Sequence, residues 1–253
     1  MQNQFEKPSS FLFFPHIQKT GGLQIYSSLY KHLGRGNCLV LGSTQTGADY
    51  SPKEFQYLNL NFSNYKALFG HISIGEALRN SNFKSFISHV NPTCFSIVRD
   101  PVARILSLYN FIVRWRSHPL SDKVYGLGFE SFALSMPPSI QAAFLSINNF
   151  PRAFISDGCD LGLNFSLFAT ENIVTGLVPF LSDYIGKEFI LGSRNDSLMG
   201  YSDSSGINIC SERPYLSSVD INPSLIKYLS TFHSFDQSIH DHLRSHKDGL
   251  KVF

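Results

Sequence analysis

A single Trp, four Cys and a charged fraction of 16% are the scarcities of this 253-residue chain. Each one excludes something. Cys38, Cys94, Cys159 and Cys210 stand far apart, and no two have the CxxC spacing of a zinc or dithiol site. In a chain this long they read as free thiols of a reducing compartment, not as a disulfide framework. Neither sign of charge dominates: 21 Lys and Arg against 19 Asp and Glu leave a formal net charge of +2. That balance supplies no broad cationic face for nucleic acid or an anionic membrane. Long apolar runs are missing as well. MQNQFEKPSS has no basic stretch leading into an apolar one, and residues 11–14 are too few for a signal segment or a span. The expectation is a soluble, cytoplasmic protein with neither a membrane nor a nucleic acid as partner.

Apolar residues, in contrast, are plentiful, at 43%, with 23 Phe among them. This is the composition of a globular chain with a phenylalanine-rich core. The length suits one large α/β domain. No repeat, low-complexity tract or linker divides it, so a single domain over residues 1–253 is expected.

Two segments share one pattern. Residues 11–17, FLFFPHI, read as a buried strand. QKTGG follows, and then Leu23, Tyr26, Leu29, Tyr30 and Leu33 recur at helical spacing until Gly34 and Gly36 end the helix. TCFSIV, residues 93–98, reads as another strand, and RDP leads from it into VARILSLYNFIVRW. There Asp100 suits the N-cap and Pro101 the first turn. A further strand is expected at residues 67–72, ALFGHI. Helical patterns return near 139–147, 171–185 and 223–245. Residues 37–66, 117–138 and 192–214 read as loops from their Gly, Ser, Pro and polar content. Repeated strand–turn–helix units predict an α/β fold: a three-layer, P-loop-like arrangement with a central, mostly parallel sheet flanked by helices.

The turn after the first strand has the parts of a phosphate cradle. A glycine turn opening a helix leaves N–H groups aimed outward, and the helix dipole adds positive potential there. Lys19 brings a point charge and Thr20 a hydroxyl. Gly21 and Gly22 let the backbone approach an anion closely. The order of residues is not that of the nucleotide-triphosphatase loop, whose glycines precede the lysine.

HIQKTGG between a strand and a helix resembles the HIPKTGG signature of the carbohydrate sulfotransferases that use 3′-phosphoadenosine 5′-phosphosulfate, the family that includes heparan sulfate 2-O-sulfotransferase. There the segment binds the 5′-phosphosulfate end of the donor. Gln18 stands where that family has Pro, and Leu23 and Gln24 where it prefers Thr and Ser. CFSIVRDPVARILSLYNF resembles the family's segment for the donor's 3′-phosphate, which assigns that role to Arg99 and Ser107. The resemblance covers about residues 11–113. Beyond them, NNFPRAFISDG resembles an acceptor-facing segment, making Asn149 and Arg152 acceptor candidates. ATENIV resembles a stretch near the adenine, making Thr170 a donor candidate. Glu171 fits equally well as a first-turn helix carboxylate, and Arg104 as a residue near the donor or a solvated one.

The implied reaction is sulfuryl transfer to an acceptor hydroxyl, by resemblance on a saccharide, with 3′-phosphoadenosine 5′-phosphate as product and no metal. It needs charge stabilisation at the leaving phosphate and a base for the attacking hydroxyl. Lys19 suits the first task. His71, after Gly70 at the end of a strand, suits the second, as the GHV histidine does in the family. His16 is expected to pack or hydrogen-bond beneath the turn, and His89, His118 and His233 to lie on the surface. Other readings are a nucleotide or small-molecule kinase, which needs Mg²⁺ ligands and GxxxxGK, a silent nucleotide-binding module, and a membrane-associated scaffold.

Overall fold

A computed structural model describes residues 11–42, 48–114, 118, 120–147, 163–192, 216–246 and 248–251. In chain order the elements are β1 (Leu12–Pro15), α1 (Gly22–Leu33), β2 (Cys38–Leu41), α2 (Pro52–Phe55), β3 (Ala67–Gly70), α3 (Ile74–Leu78) and α4 (Ser81–Val90). They continue with β4 (Thr93–Val98), α5 (Pro101–Arg114), α6 (Ser121–Leu134), α7 (Ile140–Leu145) and β5 (Asn164–Ala169). A 3₁₀ turn (Thr170–Asn172), a π-helical turn (Ile173–Leu177) and α8 (Val178–Ile185) form one composite helix. The last elements are α9 (Pro223–Phe232), α10 (Ser234–Ser245) and β6 (Leu250–Lys251).

The strands form one six-stranded sheet in the order β2-β3-β1-β4-β5-β6. All neighbouring pairs are parallel except β5 with β6. Strand residues alternate between two apolar layers. Phe11, Phe13, Leu68, Phe165 and Leu167 meet Phe55, Phe62, Ala77 and Phe83 on one face. Leu12, Phe14, Phe69, Phe95 and Phe168 meet Ile25, Leu29, Leu177 and Leu181 on the other. The chain is thus an α/β fold with a mostly parallel sheet between helices, as its strand–turn–helix pattern implied. A third cluster joins α5, α6 and α9 through Ile105, Tyr109, Val124, Phe132 and Leu229.

From β1 the chain builds outward to β2 and β3 on one side, then crosses to β4 and β5 on the other. This reversal makes the carboxyl ends of β1 and β4 a switch point, where open α/β sheets place their ligands. The two strands pair only at Leu12 with Thr93 and Phe13 with Cys94. Further along, the Ser96 hydroxyl donates to the Pro15 carbonyl at 2.7 Å, so a side chain bridges strands that no longer pair by backbone there.

The structure corrects several loop expectations. The four-residue run CLVL inside residues 37–66 is β2, buried throughout, and Ser51 caps α2 with a capping box. Residues 121–134 are helical, with a kink at Gly128 where φ is 69°. The kink absorbs the glycine that argued against a helix, and Val124, Phe132 and Ala133 provide the apolar face. The pattern near 223–245 is two helices, broken at His233. Residues 193–214 lie outside the described residues. Cys38 and Cys94 are buried free thiols. No helix among the described residues is long and apolar enough to cross a membrane.

Candidate functional site

Four adjacent strands, in the order β3-β1-β4-β5, end on His71, the turn around Lys19, Arg99 and Thr170 respectively. Neighbouring strands lie about 4.8 Å apart, so residues as distant in sequence as Lys19 and Thr170 line one edge. Lys19 takes the left-handed conformation (φ 71°) and so does Gly21 (φ 94°). Alternating handedness of this kind gathers successive N–H groups into an anion-binding concavity. No acceptor among the described residues takes the N–H groups of Lys19, Thr20 or Gly21. A Cβ on Gly21 would stand 3.2 Å from Ile173 Cδ1, which closes one side of the turn. Thr20 differs from expectation: its buried hydroxyl donates to the Ile17 carbonyl at 2.8 Å. What it offers an anion is its N–H.

The Lys19 ammonium lies over the Phe111 ring, 4.1 Å from the centroid. Burial, followed by the charges of Arg99 and Arg114, brings its pKa from 10.5 down to about 8. The amine is therefore close to titration near neutral pH and gains most from an anionic neighbour.

His16 sits beneath the turn. Its Nε2 accepts from the Gly22 N–H at 3.1 Å. A Cβ at position 22 would fall 2.1 Å from that same nitrogen, so Gly22 is required by the histidine under it. The acceptor role assigns the His16 proton to Nδ1, and burial, with His71 and Lys19 nearby, holds its pKa well below the usual range. The His71 ring stacks on His16 at 4.6 Å, and its Nδ1 lies 3.2 Å from the His16 carbonyl oxygen. A carbonyl only accepts, so Nδ1 carries the proton and Nε2 is the basic nitrogen. Burial lowers the His71 pKa and Lys19 lowers it further, while the His16 carbonyl works in the other direction. Gly70, at φ 148°, leaves no room for a Cβ, which would meet the Leu41 carbonyl oxygen at 1.8 Å. The His71 N–H donates to that oxygen at 2.8 Å.

Arg99 follows β4, and its Nη1 donates to the Lys19 carbonyl at 3.1 Å. It thereby joins the two segments read as phosphate sites. The Gln141 side chain takes both main-chain groups of Arg99, accepting from its N–H at 3.0 Å and donating to its carbonyl at 2.8 Å. Asp100 caps α5 as expected, accepting from the Ala103 N–H at 2.7 Å. Ser107 is half-buried on α5. Thr170, also half-buried, donates its hydroxyl to the Val98 carbonyl at 3.3 Å. Glu171 lies 3.1 Å from His240 Nε2, which favours its reading as a structural carboxylate. Asn149 and Arg152 lie outside the described residues.

Several residues near the site escaped the sequence reading. Arg104 is buried at 3% exposure, so it is not a solvated residue. His233, expected on the surface, is fully buried, and burial followed by Arg104 lowers its pKa to about 4. His118 is half-buried rather than superficial; its ring packs against Phe111, and Lys19 is close enough to lower its pKa beyond the effect of burial. His89 is exposed, as expected. Phe111 was legible only as an apolar residue of the helix, and Gln141 and Asp236 carried no local signal. Gln24 and Ser28 bind the Gly192 main chain, Gln24 at its carbonyl and Ser28 at its N–H. Among the described residues no group of three His, Cys, Asp or Glu is placed to hold a metal ion.

No family model matches the chain, and no curated protein matches it. Among solved structures, it is similar to a sulfotransferase from Alicyclobacillus acidocaldarius at 12% identity, covering 92% of this chain and 95% of that one, with a TM-score of 0.48. It is also similar to the mouse sulfotransferase SULT7A1 complexed with PAP at 9% identity, covering 94% and 88% respectively, with a TM-score of 0.48.

Proposed function

We propose that the protein is a sulfotransferase that takes a sulfuryl group from 3′-phosphoadenosine 5′-phosphosulfate and passes it to an acceptor hydroxyl. The observation that carries this is the line His71, Lys19 turn, Arg99, Thr170 along the carboxyl edge of four neighbouring strands. Two cationic side chains from separate motifs stand together at one sheet edge, with a histidine of lowered pKa beside them. That set suits a nucleotide with two separated phosphates better than a triphosphate, whose usual loop places its glycines ahead of the lysine.

The residues fit the donor by three features: N–H groups at 19–21 that meet no acceptor among the described residues, the left-handed turn and the lysine of lowered pKa. When bound, the donor supplies the sulfuryl group and a 5′-phosphate as leaving group. Lys19, Gly21 and the N–H of Thr20 hold that phosphate, while Gly22 accommodates His16 below. Lys19 gives its positive charge to the oxygen on which charge develops. Arg99 and Ser107 hold the 3′-phosphate, and Thr170 borders the base. His71 Nε2 takes the acceptor's hydroxyl proton as the new S–O bond forms and the S–O bond to the 5′-phosphate breaks. His16 keeps His71 in the required tautomer through its carbonyl. Asn149 and Arg152 are proposed for the acceptor side, with a saccharide hydroxyl as the acceptor class, in a single-domain cytoplasmic enzyme.

Calorimetric titration tests the reading. 3′-Phosphoadenosine 5′-phosphate should bind more tightly than ATP with Mg²⁺; the opposite preference refutes it. A His71→Ala variant should keep affinity for that nucleotide and lose transfer by about 100-fold or more. Normal transfer by the variant would remove His71 from the mechanism.

A further inference from the structure

We infer that Gln141, held from behind by Asp236, is the positioning residue that aims Arg99 at the phosphates. This rests on the proposed function, in which Arg99 grips the donor's 3′-phosphate, and it adds the device that sets the grip.

The backbone creates the need. β4 ends at Val98, whose partner in β5 is Ala169. Arg99 is the first residue beyond that ladder, and Asp100 is already the cap of α5. One residue must therefore turn from strand to helix, and its N–H and carbonyl have left the sheet. Unpaired main-chain groups in a half-buried place leave the φ and ψ of that residue poorly fixed, and with them the direction of its side chain. The Gln141 amide replaces the missing strand neighbour. It donates with Nε2 and accepts with Oε1 on the two main-chain groups of one residue. A carboxamide carries a donor and an acceptor side by side on one planar, uncharged group, which suits the N–H and carbonyl of a single residue. Gln141 itself is 1% exposed, so the pair is made away from competing water.

Gln141 is fixed in turn. Asp236 on α10 is fully buried, and its two carboxylate oxygens accept from the Gln141 N–H at 3.0 Å and the Ala142 N–H at 2.9 Å. Burial pushes the Asp236 carboxyl pKa up, while these N–H groups and the buried Arg104 guanidinium draw it down. A continuous path then runs from Asp236 to Gln141, to the Arg99 main chain, and through Arg99 Nη1 to the Lys19 carbonyl. That carbonyl faces Arg99 from a residue in the left-handed conformation. Four segments distant in sequence thus share one chain of hydrogen bonds, in which the guanidinium is the link to the Lys19 turn.

The discriminating measurement is the affinity ratio between 3′-phosphoadenosine 5′-phosphate and adenosine 5′-monophosphate, which lacks the 3′-phosphate. Gln141→Met keeps the length and removes both hydrogen bonds. It should weaken binding of the bisphosphate by about tenfold and that of the monophosphate by less than about twofold, so that the ratio collapses. In an Arg99→Ala background the same change should no longer alter the ratio. Gln141→Glu retains the acceptor for the Arg99 N–H but not the donor; it should fall between wild type and Gln141→Met, and it serves if the methionine variant does not fold. A merely structural residue would lower both affinities together, or lower the melting temperature with the ratio intact, and either result overturns the inference. If the wild type does not distinguish the two nucleotides, the proposed function itself fails.

Discussion

Lys19 shows how a single side chain can be tuned by its surroundings. A largely buried ammonium beside two guanidinium groups loses its proton more easily than one in water. The folded pKa of about 8 lies below the ordinary 10.5. At pH below about 8 the fold therefore carries the cost of a charged, desolvated lysine, and that cost is relieved as pH rises from about 8 towards 10.5. A phosphate placed beside Lys19 reverses the shift. Binding of 3′-phosphoadenosine 5′-phosphate at a pH slightly above 8 is expected to take up a proton. Titrations in two buffers of different ionisation enthalpy measure this uptake, and Lys19→Met should remove most of it. Uptake unchanged in Lys19→Met would show that another group titrates. His71 is governed by the same physics at a lower pKa, and its tautomer is fixed by a main-chain oxygen that cannot donate.

The turn between β1 and α1 couples two tasks at the scale of an element. Its N–H groups at 19–21 meet no acceptor among the described residues, whereas the Gly22 N–H donates to His16. Gly22→Ala drives a methyl into the imidazole. The ring must move, which breaks the N–H bond and disturbs the stack with His71. A loss of about 1–3 kcal/mol of stability is expected, with impaired transfer. Chemical denaturation and a transfer assay check both, and His16→Ala in the same chain should recover stability but not transfer. No recovery would place the strain elsewhere. The corresponding element on the neighbouring strand, β4 to α5, was readable in detail. Thr93–Val98 is the strand, Asp100 the cap and Pro101 the first residue of the helix. Gln24, which departs from the pattern of the resembling family, has a use that sequence alone did not suggest, since it binds the Gly192 carbonyl.

For the whole molecule, the sheet depends on packing of phenylalanines from distant segments. Phe83 on α4 has ring contacts with Phe11, Phe13, Phe55 and Phe62. Its truncation in Phe83→Ala should cost about 3–5 kcal/mol. Denaturant melts would show a lowered midpoint, and a change below about 1 kcal/mol would mean that the layer repacks around the vacated volume. The site needs this rigidity because its four residues follow four different strands. A shift of one strand relative to the next would move His71 or Arg99 away from the turn between them.

The sequence by itself determined the local units. The turn at 18–22, the strands before it and at 93–98, the cap at Asp100 and the helices after them rest on contacts a few residues apart, and these leave a pattern in the order of residues. It likewise marked Lys19 by its glycine turn, and His71 and Arg99 by strand ends whose motifs resemble those of a known family. Helix 121–134 was hidden by its glycines, and β2 by its four-residue length inside a polar stretch. Tertiary structure alone decided which strand lies beside which, that Arg104 and His233 are buried, and that Gln141 and Asp236 stand behind Arg99. Those outcomes depend on side chains dozens of positions apart. Nothing in the neighbouring residues encodes such a partner, and only closure of the sheet brings the two together.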